Sequence, residues 1–128
     1  MDNKKMQYDI SIIENIACIT IEGNLNSLDL MFMFQSKEYK DVINQYKKIL
    51  IDYTNISSVV LTAEDVFAIT MLGKMGLENL GKMTIVTAVN ENEHNVMEKV
   101  AQSIFSDSQS DIFVTDSKSN AMRILHST

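Results

Sequence analysis

Three hydroxyl groups stand close together where an apolar run gives way to a helix-like pattern. In L-I-D-Y-T-N-I-S-S-V-V-L-T-A-E-D-V, residues 50–66, they belong to Ser57, Ser58 and Thr62. At the carboxyl end of a strand in an α/β sheet, where ligands tend to bind, such hydroxyls can take a phosphoryl group or hydrogen-bond a phosphate. The three are therefore a candidate switch loop. The same stretch also describes a helix start. Thr62 is followed three residues later by Asp65, with Glu64 between them, which is an N-cap with two carboxylates in the first turn. Leu61 and Val66 have the spacing of a hydrophobic staple. A phosphate added beside Glu64 and Asp65 meets like charge. Thr62 reads first as a cap, and Ser57 and Ser58 as members of a β-to-α loop that needs local hydrogen bonds.

The other chemistry-bearing residues do not assemble into a site. Glu91 and His94 have a Glu-x-x-His spacing, but one such pair supplies only two metal ligands, and an acid in a first helical turn has a dipole role of its own. His126 falls near a helix end, where a cationic imidazole is favoured. Asp107, Asp111 and Asp116 lack the alternating spacing of a calcium loop and read as turns and caps. Two histidines, one cysteine and no Gly-x-Ser-x-Gly elbow leave no nucleophilic triad. Four glycines make no phosphate-binding loop. No enzyme, cofactor or metal is expected.

Composition narrows the partners. The 128 residues carry a formal charge of −6 and a single arginine, Arg123. An acidic surface repels phosphate backbones and anionic lipid, so nucleic acid is not an expected partner, and bidentate recognition by an arginine cluster is ruled out. Cys18 is the only cysteine, which excludes an internal disulfide and fits a reducing cytoplasm. No apolar run approaches the roughly 18 residues of a membrane span, so membrane insertion is not expected. One domain over residues 1–128 is expected, with residues 1–6 frayed.

The elements that must position these residues follow from periodicity. Tyr8–Ile13 and Ile16–Ile21 read as strands joined by a two-residue hairpin, Glu14-Asn15. Cys18 lies inside the second as a small buried hydrophobe. Gly23-Asn24 breaks that strand, and a long helical stretch runs to about Tyr46, with Tyr39, Val42, Ile43 and Tyr46 at helical spacing. Ile49–Tyr53 is a short apolar strand of the buried, parallel kind. A helix from Thr62 toward Leu80 contains Gly73 and Gly76 and stops at Gly81. Met83–Val89 is a strand. Asn90–Phe105 is a helix presenting Val96, Met97, Val100, Ala101 and Ile104, with Asn90 and Glu93 as a capping box. Ile112–Thr115 is the last strand, and Asp116 or Ser117 caps a final helix carrying Ala121, Met122 and Leu125. The order β-β-α-β-α-β-α-β-α predicts an α/β fold: a mixed, mostly parallel sheet of about five strands with four helices.

That order, with I-L-I-D-Y-T-N-I before a turn and helix, K-M-T-I-V-T, and a closing D-I-F-V-T-D-S-x-x-x-A-M-R-I-L, resembles the STAS domain from about Tyr8 to Leu125. The STAS superfamily includes anti-sigma-factor antagonists and the cytoplasmic tails of sulphate transporters. The likeness is closer still to stand-alone bacterial relatives described as STAS-like or Sec14-like. It implies a SpoIIAA-like fold and a regulatory, protein-binding or lipid-binding role. Anti-sigma antagonists carry an Asp-Ser-(Ser/Thr)-Gly-type turn with a phosphorylated serine. Here Val60-Leu61-Thr62-Ala63 stands in that place, without its aspartate and glycine and with leucine for the serine.

One run remains unabsorbed. Leu30-Met31-Phe32-Met33-Phe34 offers no polar residue over more than a full helical turn, whereas an amphipathic helix leaves about half its circumference polar. Burial within the monomer, self-association as a homodimer, and contact with an apolar small molecule or a protein partner are all open to it. The functional expectation is a non-enzymatic, cytoplasmic binding or regulatory module. A carrier of a lipophilic small molecule, with a pocket between the first helix and the sheet, is the alternative.

Overall fold

Glu14 and Asn15 both adopt the left-handed conformation, with φ of 52° and 67°. Two consecutive positive φ values make the turn that matches the twist of a two-stranded ribbon. They fold β1 (Gln7–Ile13) back on β2 (Ile16–Asn26), antiparallel, with Ile13 opposite Ile16 and Gln7 opposite Glu22. In the computed structural model, residues 5–62, 64–65, 67–69, 71, 81–90, 98–99, 102 and 110–128 are described. β3 (Lys48–Val60) runs parallel to β2, β4 (Thr84–Val89) to β3, and β5 (Asp111–Thr115) to β4, so the five strands lie side by side in chain order.

Side-chain alternation along these strands divides the core in two. Ala17, Ile19 and Ile21 of β2, Ile49, Ile51 and Tyr53 of β3, and Ile85 and Val89 of β4 pack on one face. There they meet helix α1 (Ser27–Gln35), helix α2 (Lys37–Gln45) and Ile69. Ile16, Cys18, Leu50, Val86 and Ala88 point the other way, against Ala121 and Leu125 of the last helix, α3 (Lys118–His126). Cover on both faces explains why the central strands read as unbroken apolar runs rather than alternating ones. Cys18 is fully buried, and burial raises its thiol pKa. Ser117 caps α3, its Oγ accepting from the Asn120 amide at 3.1 Å.

The fold is the expected mixed α/β one, with one antiparallel strand on a parallel sheet of five. Helical backbone at Glu64, Asp65, Phe67–Ile69 and Met71 falls inside the second expected helix, and that at Glu98, Lys99 and Gln102 inside the third. Gly73, Gly76, His94, Asp107 and the apolar face expected from Val96 to Ile104 lie outside the described residues.

Two boundaries differ from expectation. The long first helix is two helices, because Ser36 leaves helical geometry at ψ 148°. Its hydroxyl donates to the Met33 carbonyl at 2.7 Å and accepts from the Tyr39 amide at 3.2 Å, closing α1 and opening α2 together. The second difference concerns β2 and β3. Gly23-Asn24 does not end β2: Gly23 takes φ 86° and the strand continues to Asn26. β3 likewise continues past Tyr53 to Val60, with Ile56 buried among polar neighbours. Ser57 and Ser58 are therefore strand residues, not a loop.

Candidate functional site

The corner ahead of the helix after Thr62 is built from two adjoining helix starts. Asn26 caps α1, its Oδ1 accepting from the Asp29 amide at 2.9 Å while its Nδ2 donates to the Asp29 carboxylate at 2.8 Å. Thr62 makes the same kind of reciprocal pair. Its Oγ1 accepts from the Asp65 amide at 3.1 Å, and its own amide donates to the Asp65 carboxylate at 2.9 Å. This is a capping box with aspartate in the acidic position; Val66, the far end of the expected staple, lies outside the described residues. The two starts touch. Asn26 and Val60 are cross-strand partners, and the Ser27 side chain lies near enough to the Asp65 carboxyl to help lower its pKa. The amide of Thr62, and then the Ser27 and Thr62 side chains, hold the Asp65 carboxyl below its usual pKa.

The hydroxyls of the candidate switch loop separate into different roles. Thr62 is the cap. Ser58 donates to Asn24 Oδ1 at 2.9 Å, tying β3 to β2. Ser57 is exposed, its hydroxyl without a hydrogen-bond partner among the described residues, and lines a cleft of about 340 Å³ with Lys5, Gln7, Glu22, Gly23 and Asn55. The structure therefore distributes the three hydroxyls over a strand and a helix start.

The apolar run also divides. Leu30, Met33 and Phe34 are buried between α1 and the sheet, Phe34 meeting Tyr39 edge-on at 5.1 Å, and Met31 packs partly against the same core. As an interaction surface, Leu30, Met33 and Phe34 are thus a correction: the break at Ser36 frees α1 to turn those three side chains inward. Only Phe32 is mostly exposed, at 62%.

Phe32 has company that sequence reasoning missed. Leu28 stands one turn earlier on α1, Val60 at the end of β3, and Phe67 and Met71 one turn apart on the helix after Thr62. Their exposures run from 49% at Met71 to 69% at Phe67. Both helices bury their inner sides in the same core, through Leu30 and Ile69. The starts of the two helices lie together at Ser27 and Asp65, with Asp29, Glu64 and Asp65 in their first turns. The available signal was the repeated i, i+4 spacing, Leu28–Phe32 and Phe67–Met71. The remaining large exposed apolar side chains among the described residues, Ile12, Ile13 and Phe113, sit on the two edge strands.

No helix among the described residues is long and apolar enough to cross a membrane. Among those residues, no three His, Cys, Asp or Glu side chains are grouped as metal ligands.

No family model matches the chain, and no curated protein matches it. Solved structures do. One is an uncharacterised protein of the DUF3478 family with a SpoIIAA-like fold, from Shewanella loihica. It aligns over 98% of this chain and 97% of its own with a TM-score of 0.57, at 13% identity. At that identity the likeness speaks to architecture, and it agrees with the strand order and the helix placement described above: the chain has a SpoIIAA-like, STAS-type fold.

Proposed function

We infer that the chain is a non-enzymatic regulatory module that works by binding another protein through the outer sides of α1 and the helix after Thr62. The observation that carries this reading is the exposure of Leu28, Phe32, Val60, Phe67 and Met71 around two adjoining helix starts. Apolar side chains scattered singly need no explanation, whereas a contiguous group rimmed by charge marks a contact surface. Asp29, Glu64 and Asp65 supply that rim, so the matching partner presents an apolar ridge bordered by lysine or arginine. A second copy of the chain, equally acidic, fits this face less well than a basic partner.

A phospho-switch at this corner has little support, because the Thr62 hydroxyl already accepts from the Asp65 amide and the Asp65 carboxylate already accepts from the Thr62 amide. The carrier alternative needs room between α1 and the sheet, where Leu30, Met33 and Phe34 are packed.

Affinity purification from the host, comparing wild type with a Phe32→Asp/Phe67→Asp double variant, tests the reading. Both side chains are exposed, so the variant keeps the wild-type melting temperature. It should lose a discrete co-purifying protein that wild type retains. The same proteins recovered by both forms would remove the face from the account.

A further inference from the structure

The cleft at Ser57 lies apart from the apolar face, and its construction is unusual. Between the pairs Thr20–Asp52 and Glu22–Asn55, β2 advances two residues while β3 advances three. Between Gly23–Ile56 and Asn24–Ser58, β2 advances one and β3 two. Two extra residues thus enter β3 within one short stretch, opposite a glycine at φ 86°. Bulges re-aim side chains and recur beside binding sites, and a positive-φ glycine permits close approach to the backbone. Here Asn55, the first paired residue after one shift, and Ser57, which the other leaves unpaired, line the same cleft as that glycine.

The charges around the cleft are ordered along the strands. Asp9 and Asp52 flank Thr20 in one cross-strand row, Gln7 and Asn55 flank Glu22 in the next, and Lys5 bridges to Asn24 in the third. Successive rows are two residues apart, roughly 6.5 Å. The sheet surface is therefore negative at one end of the cleft and positive at the other. Asp52 is nearly fully buried, with its Oδ1 accepting from the Thr54 amide and hydroxyl at 2.9 and 2.6 Å, which fixes it in place. Neither Lys5 nor Glu22 has an ion pair among the described residues. The same cleft is lined by the side-chain amides of Gln7 and Asn55 and the hydroxyl of Ser57, each able to donate or accept. α3 covers this side of the sheet only at its other end, over Ile16, Cys18, Leu50, Val86 and Ala88.

We propose that this cleft binds a small zwitterion of amino-acid or dipeptide size, with its ammonium group toward Glu22 and its carboxylate toward Lys5. A cavity of 340 Å³ is at the small end of the range for ligand pockets, about 300–1,000 Å³. Its polar lining selects a ligand of the same character. A purely anionic ligand would meet Glu22, with Asp9 and Asp52 in the row beyond it, and a purely cationic one would leave Lys5 and the neighbouring donors unmatched.

The test is a titration of isotope-labelled protein with the proteinogenic L-amino acids and glycylglycine, followed by amide chemical shifts. At least one of these probes should saturate shifts at Gln7, Gly23, Asn55 and Ser57. Methylamine and acetate, each carrying one charge, should bind about tenfold more weakly or worse. Glu22→Gln and Lys5→Gln both alter exposed side chains; each should weaken binding by about tenfold, the loss of one charge-assisted hydrogen bond, with an unchanged melting temperature. The proposal fails if none of the probes shifts these amides at millimolar concentration, if methylamine binds as tightly as the best zwitterion, or if both variants bind like wild type.

Discussion

Thr62 and Asp65 satisfy each other's backbone donors, so a stability measurement can separate their structural role from a chemical one. Thr62→Ala should cost about 1 kcal/mol in chemical denaturation, while Thr62→Ser, which keeps the accepting oxygen, should cost little. Equal losses in the two variants would mean that the methyl group, not the cap, matters. Asp65 adds a pH dependence whose sign follows from its depressed pKa. A carboxylate favoured in the folded state stabilises it above the unfolded-state pKa, and that contribution disappears as pH falls through the folded-state value. Wild type should therefore exceed Asp65→Asn in stability at neutral pH, and the two should converge in strong acid. A constant difference down to low pH would contradict the capping geometry. The cap was legible in the sequence because it depends on spacing over four residues. Ser57 and Ser58 were misplaced because their surroundings depend on register shifts against β2, which no local pattern records.

At the scale of elements, periodicity located the hairpin, the apolar strands and the last helix, and it misjudged where polar strands end. Thr54 to Ser58 read as a loop because four of the five residues are polar; pairing with β2 keeps them extended. The run from Leu30 to Phe34 shows the opposite limit. A segment apolar on all sides has no periodicity to reveal its inner face, so Leu30 and Phe32 looked alike. The structure separates them sharply, one fully buried and the other mostly exposed. Leu30→Ala should cost about 2–5 kcal/mol, as truncation in a filled core does. Phe32→Ala should fall within about 0.5 kcal/mol of wild type. Thermal or denaturant unfolding of the two variants checks this directly, and comparable losses would place Phe32 in the core.

For the whole molecule, the mixed, mostly parallel sheet was readable because each parallel connection requires a crossover between strands. The likeness to a SpoIIAA-like structure over nearly the full length agrees with that reading. The proposed recognition surface was less legible, since it would join Leu28 and Phe32 on one helix to Phe67 and Met71 on another, with Val60 of β3 between them in sequence. Only the pairing of Asn26 with Val60 and the contact of Ser27 with Asp65 bring those parts together. A photo-crosslinking residue substituted for Phe32 in the living host probes this surface where its partner is present. The same residue at Ser119, exposed on α3 across the sheet, serves as the control. The account predicts a discrete adduct with a second protein from position 32 and none from position 119. The same adducts from both positions, or none from position 32, would contradict it.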